Sequence, residues 1–531
     1  MRFGFQILHR AAIIVLMLVV AFGMTLFFAL QSSMPYRDGI AIVSNLSDKV
    51  DIRRDAQGMP SIESSQRENV LFGLGFVHAQ DQFLTMDLLR RSSVGTLHEL
   101  LGARALSADI QRRHYGLETL VEELWLQASD QHRALLWAYS HGVNAGLNQL
   151  NQPPTFYSLR QQQPQAWEPQ DALRVLLSLV VLSHEPQLGN ALGMDELEAP
   201  MIVRSLSFSE TNQAYQLSIQ STNPLPLDTP WYPARWRIVG QSGWAQGLTL
   251  PGLPSLLMGR HQNMAWSLHR SEHAPFQWLS LQVTEEQFWH PEWGWSDFTY
   301  HTIDRPGRAE AHLVRHTPWG PVMGADGDGQ WLVLSWPNLK AHELSLNWLD
   351  LDQHTQTTEL LAHIQSLPGT ELMTIDRNGS WSMQQILSSA EHVIAVNETL
   401  DPAVLQPRQP AVWRSQQLLQ PLHIETHGNT SRQPSTTEPD TADPGWLDLL
   451  VNSPANSALW QPRILFSQQE TPIHSSAFML QFVLSDGSPD HMTGLRTQSR
   501  HPLQPYESFS TEGGSLSPGP TRHQLTLLPG R

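Results

Sequence analysis

The 531-residue chain contains no cysteine. That single absence excludes disulfides, thiolate metal sites and a cysteine nucleophile; it is compatible with an oxidising compartment without requiring one. Positive charge is scarce too: 33 Lys and Arg stand against 50 Asp and Glu, a formal net charge of −17. With no basic excess to displace counterions, nucleic acid is not an expected partner. Self-repulsion instead keeps such a body dispersed. No G-x-S-x-G elbow occurs, so a hydrolase triad of that type has no support. Two histidine pairs have HxxxH spacing, His269 with His273 and His312 with His316, but neither carries the glutamate of H-E-x-x-H. Both pairs fall in stretches that read as strand or turn, where four residues span roughly 13 Å, so neither is expected to hold a metal ion. No internal repeat is evident.

What is present is a globular composition, 40% hydrophobic and 16% charged, long enough for several domains or one large one. One apolar run stands out: Ala11 to Leu30, AAIIVLMLVVAFGMTLFFAL, carries no charge and is long enough to cross a bilayer as a helix. Arg2 and Arg10 precede it, which places residues 1–10 in the cytoplasm by the positive-inside rule. A cleaved signal peptide is the competing assignment, but the run is long and no clear small-x-small site follows. Residues 11–30 are therefore expected to be an uncleaved transmembrane signal-anchor. The chain would be a single-pass inner-membrane protein with its body in the periplasm.

A polar connector, 31–48, leads to a strand-like run from Val50 to Arg53, with turn residues Asp55, Gly58 and Pro60 after it. Val70, Leu71, Leu74, Phe76, Val77, Phe83, Met86, Leu89 and Leu97 then recur at helical intervals. The polar residues among them, Gln80, Asp81, Asp87, Arg90 and Arg91, read as an ion-pair network within that helix. Residues 119–150 read as helix, as does the stretch from 172 to about Leu182; Tyr139 and Trp167 are expected in the core. From Met201 to Ile219 the chain reads as strand, closed by Asn223-Pro224-Leu225-Pro226. Between about 425 and 445 the composition of Thr, Ser, Pro, Asp and Glu predicts a disordered loop. Helices thus concentrate before residue 190 and strands after 200, which is an α+β arrangement.

Several motifs occur in fixed order. Arg54-Asp55-x-x-Gly58-x-Pro60-x-Ile62 is followed by Gly75-Phe76-Val77-His78-Ala79-Gln80-Asp81, then Met86-Asp87-x-x-Arg90-Arg91 and Gly95-x-Leu97-x-Glu99-Leu100-x-Gly102. Trp231-Tyr232-Pro233-Ala234-Arg235, Leu250-Pro251-Gly252-Leu253-Pro254 and Gly259-x-His261-x-x-Met264-Ala265-Trp266 come later. Together they resemble the penicillin acylase family of N-terminal-nucleophile hydrolases, which cleave linear amides. The resemblance implies a four-layer αββα sandwich of two antiparallel sheets with helices outside. It divides the body into a largely helical α-chain region, 31–200, and a sheet-rich β-chain region, 201–531. It implies small-molecule acyl amides as partners: N-acyl compounds, β-lactam antibiotics or acyl-homoserine lactones. Gly513-Gly514-Ser515-x-Ser517-Pro518 and His523-Gln524-Leu525 look like the family's C-terminal signature, so the chain reads as an internally shortened member.

The resemblance also implies a serine nucleophile exposed by self-cleavage, in a Gly-Ser-Asn-x-Trp sequence some twenty residues before an Asn-Pro turn; its own α-amine would act as base. This chain has no such sequence. Counting back from Asn223-Pro224 without gaps places Val203 and Arg204 there. A gapped alternative places Thr211-Asn212 there, preceded by Glu210. Ser205, Ser207 and Ser209 alternate and read as one polar face of the strand. Trp446 to Asn456 resembles the strand that carries the oxyanion-stabilising asparagine, either Asn452 or Asn456; each can equally be a hydrogen-bonded turn residue. His261 stands where an asparagine is expected. The calcium-binding aspartates of the family are replaced by Ala274-Pro275-Phe276-Gln277-Trp278, so no cofactor is expected. Two functions stand open: a linear-amide hydrolase, or a catalytically inactive membrane-anchored relative serving as a binding or scaffold protein.

Overall fold

The structure is a computed structural model. It describes residues 35–182 apart from 56 and 57, the strands at 202–209 and 214–221, most of 232–386, and beyond that isolated strands and residues 521–530. Of the apolar run 11–30 it describes Leu16, Met17, Val20 and Met24, each helical and exposed. The rest of the expected anchor lies outside the described residues, as does the expected loop at 425–445. Among the described residues no helix is long and apolar enough to cross a membrane.

Three short strands come first, β1 (Gly39–Val43), β2 (Val50–Arg54) and β3 (Pro60–Ser64). In β2 the alternation buries Val50, Ile52 and Arg54. Helix α1 (Arg67–Val94) follows, and it is buried around nearly its whole circumference, as expected of a helix with apolar residues on every side. It ends at Gly95, whose φ of 69° is the left-handed conformation that glycine adopts freely. Helices α2 (Leu97–Leu101), α3 (Leu106–His114), α4 (Leu117–Gln127), α5 (Asp130–Asn148), α6 (Thr155–Arg160) and α7 (Pro169–Leu182) complete this half. The single helix expected over 119–150 is two. Ala128 takes an extended conformation, and the Ser129 hydroxyl accepts the His132 N–H at 3.1 Å, so a serine cap starts α5 afresh.

Helices α1 and α5 meet backbone to backbone. A Cβ at Gly142 would overlap the carbonyl oxygen of Phe72, and one at Gly75 that of Tyr139. Tyr139 and Trp167 are both buried, as their sequence context predicts.

The run Met201–Ile219 is not one strand. It forms β4 (Ile202–Ser209) and β5 (Ala214–Ser221), an antiparallel pair in register from Ile202↔Ser221 to Ser209↔Ala214. The polar sequence at 210–213 interrupts the apolar alternation between the two strands. The remaining strands are β6 (Tyr232–Ile238), β7 (Ala245–Thr249), β8 (Leu256–Arg260), β9 (Met264–Arg270), β10 (Gln277–Leu281), β11 (Gln287–His290), β12 (Gly294–Asp297), β13 (Thr299–Ile303), β14 (His312–Thr317), β15 (Gly320–Ala325) and β16 (Trp331–Ser335). After the short helix α8 (Thr357–His363) come β17 (Thr370–Asp376), β18 (Ser380–Ile386), β19 (Glu398–Thr399), β20 (Ala411–Arg414), β21 (Met479–Leu484), β22 (Met492–Thr493), β23 (Ser499–Arg500), β24 (Glu507–Ser508) and β25 (His523–Pro529).

The main sheet runs β1-β25-β2-β3-β6-β7-β8-β9-β17-β18-β19. It is mixed rather than antiparallel throughout, because β1 pairs with β25, and β3 with β6, in parallel. Strand β25, which carries His523-Gln524-Leu525, sits between β1 and β2, so the last strand completes the sheet that the first ones begin. A second sheet, β20-β4-β5-β21-β22, approaches the first: Cα atoms of β5 come within 8 Å of β17, and those of β21 within 8 Å of β8 and β9. Helix α1 packs on β2, β3 and β6. One hydrophobic core joins helices and main sheet, with Ile62, Phe72, Phe76, Tyr139, Trp167 and Trp266 among its members.

Candidate functional site

The sheet that carries the position of chemical interest is the smaller one. Val203 is the second residue of β4, paired with Gln220 on β5 and with Arg414 on β20. Ser205, Ser207 and Ser209 occupy alternate positions of β4 and therefore share one face of the strand. Thr211 lies outside the described residues; in sequence it falls between the end of β4 and the start of β5. Asn452 and Asn456 also lie outside them. All three sequence-derived candidates therefore fall outside the described residues.

Where α1 packs on the main sheet, its motif residues build a buried polar network. Asp81 Oδ2 accepts from Arg54 at 2.5 Å and from the Tyr232 hydroxyl at 2.6 Å, with all three side chains buried. Beside it the hydrogen bonds of His78 run in one direction. The Gly252 N–H donates to the Tyr139 hydroxyl at 3.0 Å, and that hydroxyl donates to His78 Nδ1 at 2.8 Å. His78 Nε2–H then donates to Thr249 Oγ1 at 2.8 Å, and Thr249 donates to the Tyr232 carbonyl at 2.9 Å. The partners assign this tautomer: every donor and acceptor is used once by a neutral imidazole. Burial, reinforced by the nearby Arg54 charge, pulls the His78 pKa down to about 3. A neutral, fully enclosed imidazole ties α1 and α5 to β7; it has no open face for substrate.

The ion-pair network expected in α1 is also present. Asp87 Oδ1 accepts from Arg90 at 2.7 Å and Arg91 at 2.9 Å, and its Oδ2 accepts from the Tyr157 hydroxyl at 2.5 Å. Arg90 reaches Asp171 on α7 as well, and its guanidinium lies 4.9 Å from the Trp167 ring. A cleft of about 620 Å³ opens here, lined by Arg90, Arg91, Glu99, Glu118, Asp171 and Arg174. Each guanidinium in it is already paired with a carboxylate.

A second cleft, of about 340 Å³, lies by the β8–β9 turn and includes Trp236, His261, Asn263, Asp352 and Thr355. His261 Nδ1 accepts the Asn263 N–H at 3.1 Å, and its Nε2–H donates to the His354 carbonyl; burial lowers its pKa. An asparagine carboxamide accepts a backbone N–H two residues on in the same way, which accounts for the exchange at this position. His312 and His316 lie four residues apart on β14, as the strand assignment predicts, and His273 lies outside the described residues. Among the described residues no group of three or more His, Asp or Glu side chains is placed to hold a metal ion.

The architecture defines a class: a mixed α/β protein in which a helical half caps a large sheet and a smaller strand group packs against it. A family model described as penicillin amidase matches residues 49–215 and 222–390, more than half of the chain. The chain belongs to the penicillin amidase family. It is 36% identical over 154 residues to penicillin acylase 2 proenzyme of Pseudomonas sp. (strain SE83), covering 29% of this chain and 20% of that protein. It is 28% identical over 389 residues to the acyl-homoserine lactone acylase QuiP of Pseudomonas fluorescens Pf-5, covering 61% and 48%. A thermostable penicillin G acylase from Alcaligenes faecalis aligns at 15% identity and a TM-score of 0.30, over 51% of this chain and 50% of that one. The chain spans about half the length, or less, of these relatives.

Proposed function

We propose that this protein keeps the family's scaffold and its class of ligand, N-acyl compounds, without the N-terminal nucleophile that would hydrolyse them. One observation carries the proposal. Strand β4 holds Val203 and Arg204 where the resemblance places Ser and Asn, and an isopropyl group has no atom that can attack a carbonyl. The hairpin favours this ungapped placement: β4, β5 and the residues between them fill the interval from Val203 to Asn223. A chain starting at Thr211 would leave β5 alone in that interval.

In this reading the protein is a membrane-anchored, periplasmic binding protein held by residues 11–30, and Asn452 or Asn456 hydrogen-bonds the acyl carbonyl. The proximity of β5 to β17 and of β21 to β8 and β9, with α1 on the main sheet, supports an αββα sandwich. The place of β25 between β1 and β2 supports internal shortening.

A second reading is a linear-amide hydrolase of penicillin-acylase type. Thr211 favours it, since its hydroxyl is followed by Asn212 in the connection between β4 and β5. Asn452 or Asn456 would then stabilise the oxyanion, a contribution of about 3–4 kcal/mol per donor.

Purification decides between them. The binding reading requires one band near 59.9 kDa and saturable binding of an N-phenylacetyl amide with no free acid released. Two chains, the second beginning at Thr211, with release of phenylacetate, would establish the hydrolase. An intact chain that binds no N-acyl amide would remove the proposed ligand class.

A further inference from the structure

Outside the motifs that carry the family resemblance, the ribbon β11–β12 exposes aromatic rings. In its register Trp289 faces Trp295 and Gln287 faces Asp297, so by alternation these four share the outer face. The indoles of Trp289 and Trp295 meet edge to face at 5.7 Å and are 41% and 46% exposed. Beside them Gln287 Nε2 donates to Asp297 Oδ1 at 2.7 Å.

The inner face fixes the ribbon. Phe288 packs with Phe298, Val322 and Val333 in a small core of its own. The buried His290 is stacked between Trp319, at 4.8 Å, and Trp293, at 3.7 Å, and accepts the Glu292 N–H. Trp293, 64% exposed, is therefore held by one ring face with the other free. Exposed indoles cost solvation and are rarely held in place without a partner.

Charge selects the partner. Residues 282–303 contain Glu285, Glu286, Glu292 and Asp297 and no Lys or Arg. Arg315 of the neighbouring β14 is taken up by the rings of Phe298 and Trp331. An anionic bilayer, an anionic glycan or a nucleic acid would be repelled. A neutral pyranose chain fits: each ring offers an apolar C–H face to an indole, and its rim hydroxyls meet the amide and carboxylate of the Gln287–Asp297 pair.

We propose that the outer face of the β11–β12 ribbon, Trp289 and Trp295 with Gln287 and Asp297, and Trp293 at its tip, docks a neutral polysaccharide chain. The proposal is independent of whether amide bonds are cut.

The test is a tryptophan-fluorescence titration of the full-length protein with chitohexaose, cellohexaose and maltohexaose up to about 5 mM, alongside phosphatidylcholine vesicles. At least one oligosaccharide is expected to bind with a Kd of about 0.1–1 mM. Trp289→Ala or Trp295→Ala should weaken that binding at least about tenfold and Asp297→Ala about fivefold, while Trp295→Phe, which keeps a flat ring, stays within about threefold. Far-UV circular dichroism checks that each variant is folded. Absence of binding by all three sugars, or unchanged affinity in both alanine variants, overturns the proposal. So does vesicle binding that the same variants abolish, since a bilayer would then be the occupant.

Discussion

Arg54 and Asp81 lie 27 positions apart and close a buried ion pair at 2.5 Å, joining strand β2 to helix α1. Each motif residue is the other's counter-charge. Their remaining atoms, Arg54 Nη2 and Asp81 Oδ1, find no hydrogen-bond partner among the described residues.

Removing one member of this pair strands the other. Asp81→Asn is expected to lower unfolding free energy by about 3–5 kcal/mol. The double variant Arg54→Met/Asp81→Leu should lose less, because no uncompensated charge stays behind. Urea denaturation of both variants measures the difference; equal losses would show that the pair is not closed as described.

His78 makes stability depend on pH. Its folded pKa of about 3 lies below the ordinary 6.5, so between those values the unfolded chain binds the additional proton. The stabilisation is complete above about pH 6.5 and is lost as pH falls towards 3. From this group alone stability should be about 2 kcal/mol lower at pH 5 than at pH 7. His78→Gln should be less stable at pH 7 and show a flatter dependence between pH 7 and 5, read from denaturation midpoints.

The contact between α1 and α5 has no room for a methyl group. Gly142→Ala drives a Cβ into the Phe72 carbonyl, and a loss of about 3 kcal/mol or more is expected as the two helices are forced apart. Exposed Ser129→Ala, at the start of the same helix, should cost only about 1 kcal/mol. Thermal melts of the two variants rank the effects.

Thr211 separates the two functional readings. In an unprocessed binding protein, Thr211→Ala leaves both the single band and the affinity for an N-phenylacetyl amide within about twofold of the parent. In a hydrolase it abolishes both chain cleavage and acid release. Gel electrophoresis and a ligand titration of the one variant report both.

Much of this was legible in the residues. The helical spacing of Val70 to Leu89 located α1, and the charges between them located the Asp87–Arg90–Arg91 cluster, since such groups inside an apolar helix must pair with one another. Helix α5 and strand β5 were less so. A serine cap and a short polar break each divided what periodicity alone joined, because period reports burial and says little about where a chain turns.

Motif order alone carried kinship, and the missing Gly-Ser sequence alone raised the question of activity, because both are properties of residue identity. Folding settled what depends on distant partners. His78 finds Thr249 across 171 positions and Tyr232 finds Asp81 across 151, contacts that no local pattern encodes. Tertiary burial turned a motif histidine that had no assigned role into a neutral tie, with its proton direction set by four surrounding groups. Strand pairing placed Val203 opposite Gln220 and Arg414, partners that lie 17 or more positions away and that residue order does not reveal.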